Sequence, residues 1–337
     1  MSVADRVLER LRPHDTERLG PLERAAYIFE KVGTIVIAGV LLLVFSLTTS
    51  VFFTEANIDN ILIQIAVVGV VAIGESIVML LRGIDLSVGS VTLFSAVVIG
   101  VLNVSHHTSV ALAILVALLL SVGVGLVNGI LVALVRVEPI IVTLGTSLAI
   151  SGLNQRLLAD NGSWISVNDQ FFVGMVVNKI WVLPVMAVIL FVLYAAAGVL
   201  LRKTPFGRYI YAVGGNPRAA HLAGIPAPLV LIAAYALCGL CAGIAGVLIT
   251  AQVGTISQAV GGDLLFSAIT VVVVGGLSLA GGAGSVEKTL VGAIIFGMIY
   301  NFLTLQSFSN YYKQAIAGFL ILGAAVLIQL ARVGRER

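Results

Sequence analysis

Apolar runs of bilayer-crossing length recur along almost the whole chain. They lie near 33–53, 59–81, 85–104, 109–135, 138–158, 178–201, 227–250, 264–281, 286–306 and 312–331. A helix needs about twenty such residues to cross the hydrocarbon core of a membrane. Ten of them in 337 residues leave little chain for anything else. The sequence is 59% hydrophobic and 10% charged, with a mean hydropathy of +1.12. A soluble domain carries about 25% charged residues. No soluble core of this size could hide that much apolar surface, so lipid is the expected solvent. The expected fold is all-α, a polytopic membrane bundle of about ten transmembrane helices. Two runs are less regular. The run at 138–158 contains Glu138, Asn154 and Gln155 among several Ser and Thr residues, which suits a short or re-entrant segment. The run at 85–104 begins in a polar break that contains glycine.

Charge orients the bundle. With the N-terminus inside and ten alternating spans, 16 of the 19 basic residues fall on the inner side. Only Arg156, Lys179 and Lys313 fall outside. This is the bias of the positive-inside rule, and an odd number of spans would spoil it. Both termini are therefore expected in the cytoplasm. The expected divisions are a cytoplasmic segment 1–32, a transmembrane domain 33–331 with a cytoplasmic loop at 202–226, and a cytoplasmic tail 332–337. The first thirty residues are charged and lack the apolar core of a cleavable signal. Trp181 and Tyr311-Tyr312 fall near expected outer interfaces, where amphipathic rings settle.

Several chemistries are disfavoured. A net charge of +3 is too small for a nucleic-acid binder. The chain shows no phosphate-binding loop of the Walker type, no H-E-x-x-H helix and no G-x-S-x-G elbow. Cys238 and Cys241 sit inside an apolar run and read as packing residues. His106-His107 reads as a surface pair, and no metal site is expected.

Polar groups inside the spans are costly and mark candidate function. Glu75, in "VVAIGESIVML", costs roughly 2.5–3.5 kcal/mol at a helix centre on insertion scales. It either lines a wet path and hydrogen-bonds a polar solute, or is protonated and bonds a neighbouring helix. In "RGIDLSVGS", residues 82–90, Asp85 or Ser87 can cap the next helix. Asn128, Thr143, Thr146, Asn154, Ser267, Thr270, Ser278 and Asn301 add further donors and acceptors. Glu75, Asp85, Ser87, Asn128, Thr143, Thr146, Asn154, Ser267, Thr270 and Asn301 are the candidate lining of a translocation pathway. Interhelical hydrogen bonding is the alternative for each. Gly125-xxx-Gly129 and Gly239-xxx-Gly243 are close-packing motifs.

The loop at 202–226 is the largest on the inner side and carries five basic residues between Arg202 and Ile225, counting His221. Gly214-Gly215-Asn216-Pro217 is a turn signal. Asn216 suits an N-cap with Pro217 at the first helical position, and Gly224 suits the helix end. A short helix flanked by cations is either a docking surface for a cytosolic partner or an orientation signal that happens to be helical.

Four stretches carry a resemblance: "GIDLSVGS" (83–90), "VTLGTSLAISGL" (142–153), "TPFGRYIYAVGGNPRAAHLAGI" (204–225) and "VVVVGGLSLAGGAGS" (271–285). Together they resemble the ribose/xylose/arabinose/galactose-type sugar permeases of bacterial ABC importers, over nearly the whole chain after about residue 33. The first and third are highly specific in combination. The resemblance implies an inner-membrane permease subunit, not an enzyme, that passes a monosaccharide or similar polar solute. It implies a second permease copy or homologue, a cytosolic ATPase of the tandem-domain kind and a periplasmic or lipid-anchored binding protein. ATP and Mg would then sit on the ATPase, with no cofactor in this chain. Pro205, Phe206, Gly207, Arg208, Gly214, Gly215, Asn216, Pro217, Arg218, Ala219 and His221 would form the coupling segment. One departure stands out: Leu265 and Ser267 occupy positions where many members carry two acids, and Glu75 stands where an uncharged residue is usual. The chief rival is a proton-coupled secondary carrier with Glu75 as its acid. An intramembrane enzyme and a non-transporting scaffold are further rivals, the first opposed by the absence of a catalytic constellation.

Overall fold

The apolar runs fold as helices, and side-chain caps at Thr54, Asp169, Thr204 and Asn216 mark four of their starts. A computed structural model of the chain describes residues 21–309, 311–316, 318–320 and 322–323. The expected tail 332–337 and residues 1–20 of the expected N-terminal segment lie outside the described residues, and the run 312–331 lies partly outside them. The order begins α1 (Pro21–Thr48), α2 (Glu55–Leu80), α3 (Val88–Gly100), α4 (Val110–Ile130) and α5 (Pro139–Asp160). Helices α3 and α4 each continue through a wide π turn, Val101–Ser105 and Leu131–Val135. Next come β1 (Trp164–Ser166), α6 (Gln170–Val177), β2 (Lys179–Ile180), β3 (Leu183–Pro184) and α7 (Val185–Lys203). The order closes with α8 (Pro205–Gly215), α9 (Pro217–Leu222), α10 (Ala227–Val253), β4 (Thr255–Ser257), α11 (Leu264–Val274) and α12 (Val286–Leu305).

Six helices among the described residues are long and apolar enough to cross a membrane: Glu55–Leu80, Val88–Ser105, Val110–Val135, Val185–Lys203, Ala227–Val253 and Val286–Leu305. The apolar stretch of α1, Thr34–Thr48, is shorter. Helix α5 runs 22 residues, but its Thr, Ser, Asn and Gln keep it out of the six. The run 264–281 was expected as one span, and the structure divides it. Helix α11 is 11 residues long, roughly 16 Å at 1.5 Å per residue, about half a hydrocarbon core. It stops because Gly275 and Gly276 (φ +81°) turn the chain and Leu277 N–H bonds back to Val272 O at 3.2 Å. Ser278 therefore lies in a loop at 275–285, where its N–H reaches Ala283 O at 3.0 Å.

Helix α10 is the axis of the bundle and packs against α4, α2 and α3. Its contact with α4 is a glycine seam. A Cβ on Gly125 would lie 2.3 Å from Tyr235 O, and one on Gly239 would lie 2.4 Å from Ser121 O. The two glycine motifs thus face each other, backbone against backbone, which is the purpose of such motifs in lipid. Elsewhere α12 packs on α2 and α1, with Phe45 stacked on Phe302 at 4.1 Å between centroids. Leu119, Leu134, Ile141 and Leu148 are exposed on the outside of α4 and α5, a surface suited to lipid tails.

Short strands tie the loops. Trp164–Ser166 pairs antiparallel with Thr255–Ser257. Ile165 and Ile256, from the centres of the two strands, are buried against Gly100. Lys179 Nζ lies 2.6 Å from Asp59 and 2.7 Å from Glu55. Hydrogen bonds to Asp59 and then Glu55 hold that ammonium above its ordinary pKa.

Candidate functional site

Helix α2 ends at Leu80, and the chain reverses tightly. Leu81 N–H and Gly83 N–H both bond Val78 O, while Arg82 sits in the left-handed region at φ 68°. Gly83 fits closely here: a Cβ would lie 2.6 Å from the Tyr235 hydroxyl and 2.9 Å from Val78 Cγ1, so those side chains would have to shift. This reversal carries Asp85 back beside α2, where its N–H donates to Glu75 Oε1 at 3.2 Å. Both acids are buried, Glu75 completely.

From Asp85 a chain of hydrogen bonds runs across three helices. Asp85 Oδ1 accepts from Ser87 N–H at 2.9 Å and from Ser87 Oγ at 2.5 Å. Ser87 Oγ accepts from Asn128 Nδ2 on α4 at 3.0 Å. Asn128 Oδ1 accepts from Thr146 Oγ1 on α5 at 2.7 Å. Each donor points toward Asp85, an arrangement that suits a carboxylate at the end of the line. Thr143 Oγ1 reaches Ile84 O at 3.3 Å and Pro139 O at 2.9 Å, and Asn154 Nδ2 donates to Ser90 O at 3.0 Å. Asp85 closes the turn before α3, while Ser87, the N-cap residue, makes no side-chain cap bond.

Seven of the ten candidate pathway residues therefore gather around the 83–90 segment. The other three stand apart. Thr270 Oγ1 bonds Phe266 O in its own helix at 2.7 Å. Ser267 N–H continues the α11 ladder to Asp263 O. Asn301 exchanges two hydrogen bonds with Asn57, at 3.0 and 2.9 Å, which clasps α12 to α2. Among the described residues Glu75 Oε2, Asn154 Oδ1 and the Tyr235 hydroxyl are buried with no hydrogen-bond partner. Burying such groups is costly unless something polar meets them.

The segment between α7 and α10 folds as two short helices. Thr204 Oγ1 accepts from Gly207 N–H at 3.2 Å to cap α8. Asn216 Oδ1 accepts from Ala219 N–H at 3.1 Å to cap α9, and Gly224 (φ +76°) ends the turn beyond it. Pro205, Arg208, Gly215, Asn216, Pro217, Arg218, Ala219 and His221 are exposed; Phe206 is half-buried; Gly207 and Gly214 are buried. Leu222 is 87% exposed at the end of α9. The back of this segment is fastened to the bundle. Tyr211 Oη donates to Gly284 O at 2.9 Å, and Arg202 Nε lies 2.8 Å from Glu287 Oε1. Arg82 Nε donates to Gly214 O and Nη2 to Gly215 O, each at 2.6 Å. Gly214 touches the end of α2 so closely that a Cβ would lie 1.8 Å from Leu80 O.

Sequence reasoning counted Arg82 only as an inner cation and did not single out Tyr235, Asn57 or the Ser76–Thr289 hydroxyl pair (3.1 Å). A polar residue within an apolar helix was the available signal for Ser76 and Thr289. Nothing local marked Tyr235, whose hydroxyl is buried against Gly83.

The structure thus offers a helical bundle of membrane-crossing length, a buried polar chain and an exposed two-helix elbow. Residues 57–325 match the family model described as "Branched-chain amino acid transport system / permease component", and the chain belongs to that family. It is 36% identical over 308 residues to the ribose import permease protein of Escherichia coli, covering 90% of this chain and 94% of that one. It is 31% identical over 338 residues to the L-arabinose ABC transporter permease protein of Azospirillum brasilense, covering 97% of each. It is 34% identical over 292 residues to the fructose import permease protein of Rhizobium meliloti, covering 83% of this chain and 80% of that one. No solved structure matches the chain. These relatives are permease components of sugar importers and not enzymes. Family membership implies a multi-pass inner-membrane protein working with an ATPase and a binding protein. The proton-coupled carrier is not favoured by these comparisons.

Proposed function

We propose that the chain forms the translocation pathway for a monosaccharide or a similar polar solute, in a bacterial inner membrane, beside a second copy or homologue of itself. ATP and Mg bind the partner ATPase, which is of the tandem-domain kind, and a periplasmic or lipid-anchored protein delivers the solute. The observation that carries this reading is the capped, exposed helix α9 on an elbow fastened from behind to α2 and to the 275–285 loop. Such a helix offers a partner Arg218, His221 and Leu222, and hands movement inward. Seven candidate residues on α2, α4, α5 and the 81–87 turn supply the polar lining; the unpartnered Glu75 Oε2, Asn154 Oδ1 and Tyr235 hydroxyl are suited to solute hydroxyls.

Ten spans, with 1–32, 202–226 and 332–337 in the cytoplasm, are part of the same proposal. Contacts between loops support the alternation because each joins segments assigned to one side. Lys179 meets Glu55, Ser105 meets Asn161 and β1 meets β4 on the outer side. Arg82 meets Gly214 and Arg202 meets Glu287 on the inner side. Helix α5, α1 and the broken α11 segment complete the count with the run at 312–331. The test replaces Asn216–His221 with a Gly/Ser linker. Membrane insertion should persist while the ATPase no longer co-purifies; normal co-purification sinks the docking role.

A further inference from the structure

Arg82 joins the exposed two-helix elbow to the turn that carries Asp85. We propose that Arg82 is a positioning residue of the transport cycle, the pin through which movement of 205–222 reaches the buried polar chain at Asp85. The inference rests on the reading of 205–222 as the ATPase joint.

The geometry has three links. First, the guanidinium grips the carbonyls of Gly214 and Gly215, the last two residues of α8, with two bonds of 2.6 Å. The C-terminal end of a helix carries partial negative charge and unpaired carbonyls, so a forked cation is well matched to it. Second, the grip has almost no slack. Gly214 lies directly against Leu80 O, and Gly282 N–H donates to that same oxygen at 2.8 Å. Third, only Gly83 and Ile84 separate the pin from Asp85, and that stretch is held at both ends. At one end Arg82 N–H bonds Met79 O and Gly83 N–H bonds Val78 O; at the other Ile84 O accepts from Thr143 Oγ1 and Asp85 N–H donates to Glu75 Oε1. A shift of the α8 end therefore carries 82–85 with it and alters the Asp85 N–H to Glu75 bond and the Ser87 contacts beyond it. Packed elements transmit displacement because their interfaces do not deform continuously.

Arg82 adopts a left-handed backbone (φ 68°) that an L-residue resists and glycine readily takes up. Arg82→Gly thus removes the fork and relieves the backbone in one step, so loss of folding is not its expected effect. Arg82→Lys keeps the charge but reaches one carbonyl instead of two.

The experiment is hydrogen–deuterium exchange on the assembled importer, comparing the nucleotide-free complex with one trapped by ATP and vanadate. In the wild type both 205–224 and 83–90 change protection on trapping. In Arg82→Gly the response at 205–224 remains and that at 83–90 is lost; Arg82→Lys shows a reduced response at 83–90 and serves in its place if the glycine variant does not assemble. An unchanged response at 83–90 in the variants overturns the proposal. So does a wild type in which 205–224 responds and 83–90 does not. A wild type silent at 205–224 fails differently, because it removes the ATPase joint itself.

Discussion

Asn57 and Asn301 exchange two hydrogen bonds in a buried position, and this decides what Asn301 can do. An amide in such a pair spends one of its two N–H donors and one of its two acceptor sites on the clasp, and a solute would reach the rest only by opening the α2–α12 contact. Asn301→Ala should destabilise the detergent-solubilised protein by about 1–3 kcal/mol, the cost of leaving buried Asn57 Oδ1 without its donor. Replacing both residues by Leu should recover much of that loss, which thermal unfolding of the single and double variants would read. Glu75 contrasts with this pair, since one oxygen takes the Asp85 N–H and the other takes nothing. Glu75→Gln keeps the acceptor for Asp85 and changes what the second position offers. It should leave membrane expression intact and shift the rate or selectivity of solute uptake in proteoliposomes. Unaltered uptake across ribose, arabinose and fructose would make Glu75 a packing group.

At the scale of helices, the α4–α10 seam predicts opposite outcomes for two glycines two residues apart. Gly125 lies 2.3 Å (as a Cβ) from Tyr235 O, whereas a Cβ on Gly123 meets nothing within 4 Å. Gly125→Ala should force the helices apart and cost about 1–3 kcal/mol. Gly123→Ala should be neutral or stabilising by up to about 1 kcal/mol, because alanine is the better helix former. Unfolding midpoints of the two variants check the contrast. Much at this scale was legible in the sequence. Apolar runs marked the six long helices, and Asn216-Pro217 with Gly224 marked α9, because capping is a local matter of side chain and backbone. The division of 264–281 was not legible from hydropathy, since Gly275-Gly276 turns the chain without making it polar. The polar chain was half legible. Buried polar residue types identify themselves in an apolar run, but their partners do not, so Asn301 and Asn128 looked alike although one clasps helices and the other lies in line with Asp85. Arg82 was the hardest, because an inner-side arginine serves orientation whether or not a helix end waits beside it.

For the whole molecule, the proposed alternation of ten spans would put the elbow and Trp181 on opposite sides of the membrane. Trp181 is 98% exposed, and Arg218 is exposed on α9. In a background with Cys238→Ala and Cys241→Ala, a membrane-impermeant maleimide on intact spheroplasts should label Trp181→Cys and spare Arg218→Cys. Inverted vesicles should reverse the pattern, and labelling of position 218 from outside would sink the topology. The glycine seam has one more implication at this scale. Where two rods touch main chain to main chain, there is no layer of swivelling side chains to act as a bearing. Rods α4 and α10 must therefore travel as a single beam, and any hinge that opens the bundle has to lie on seams cushioned by long residues, such as the one where Phe45 rests on Phe302.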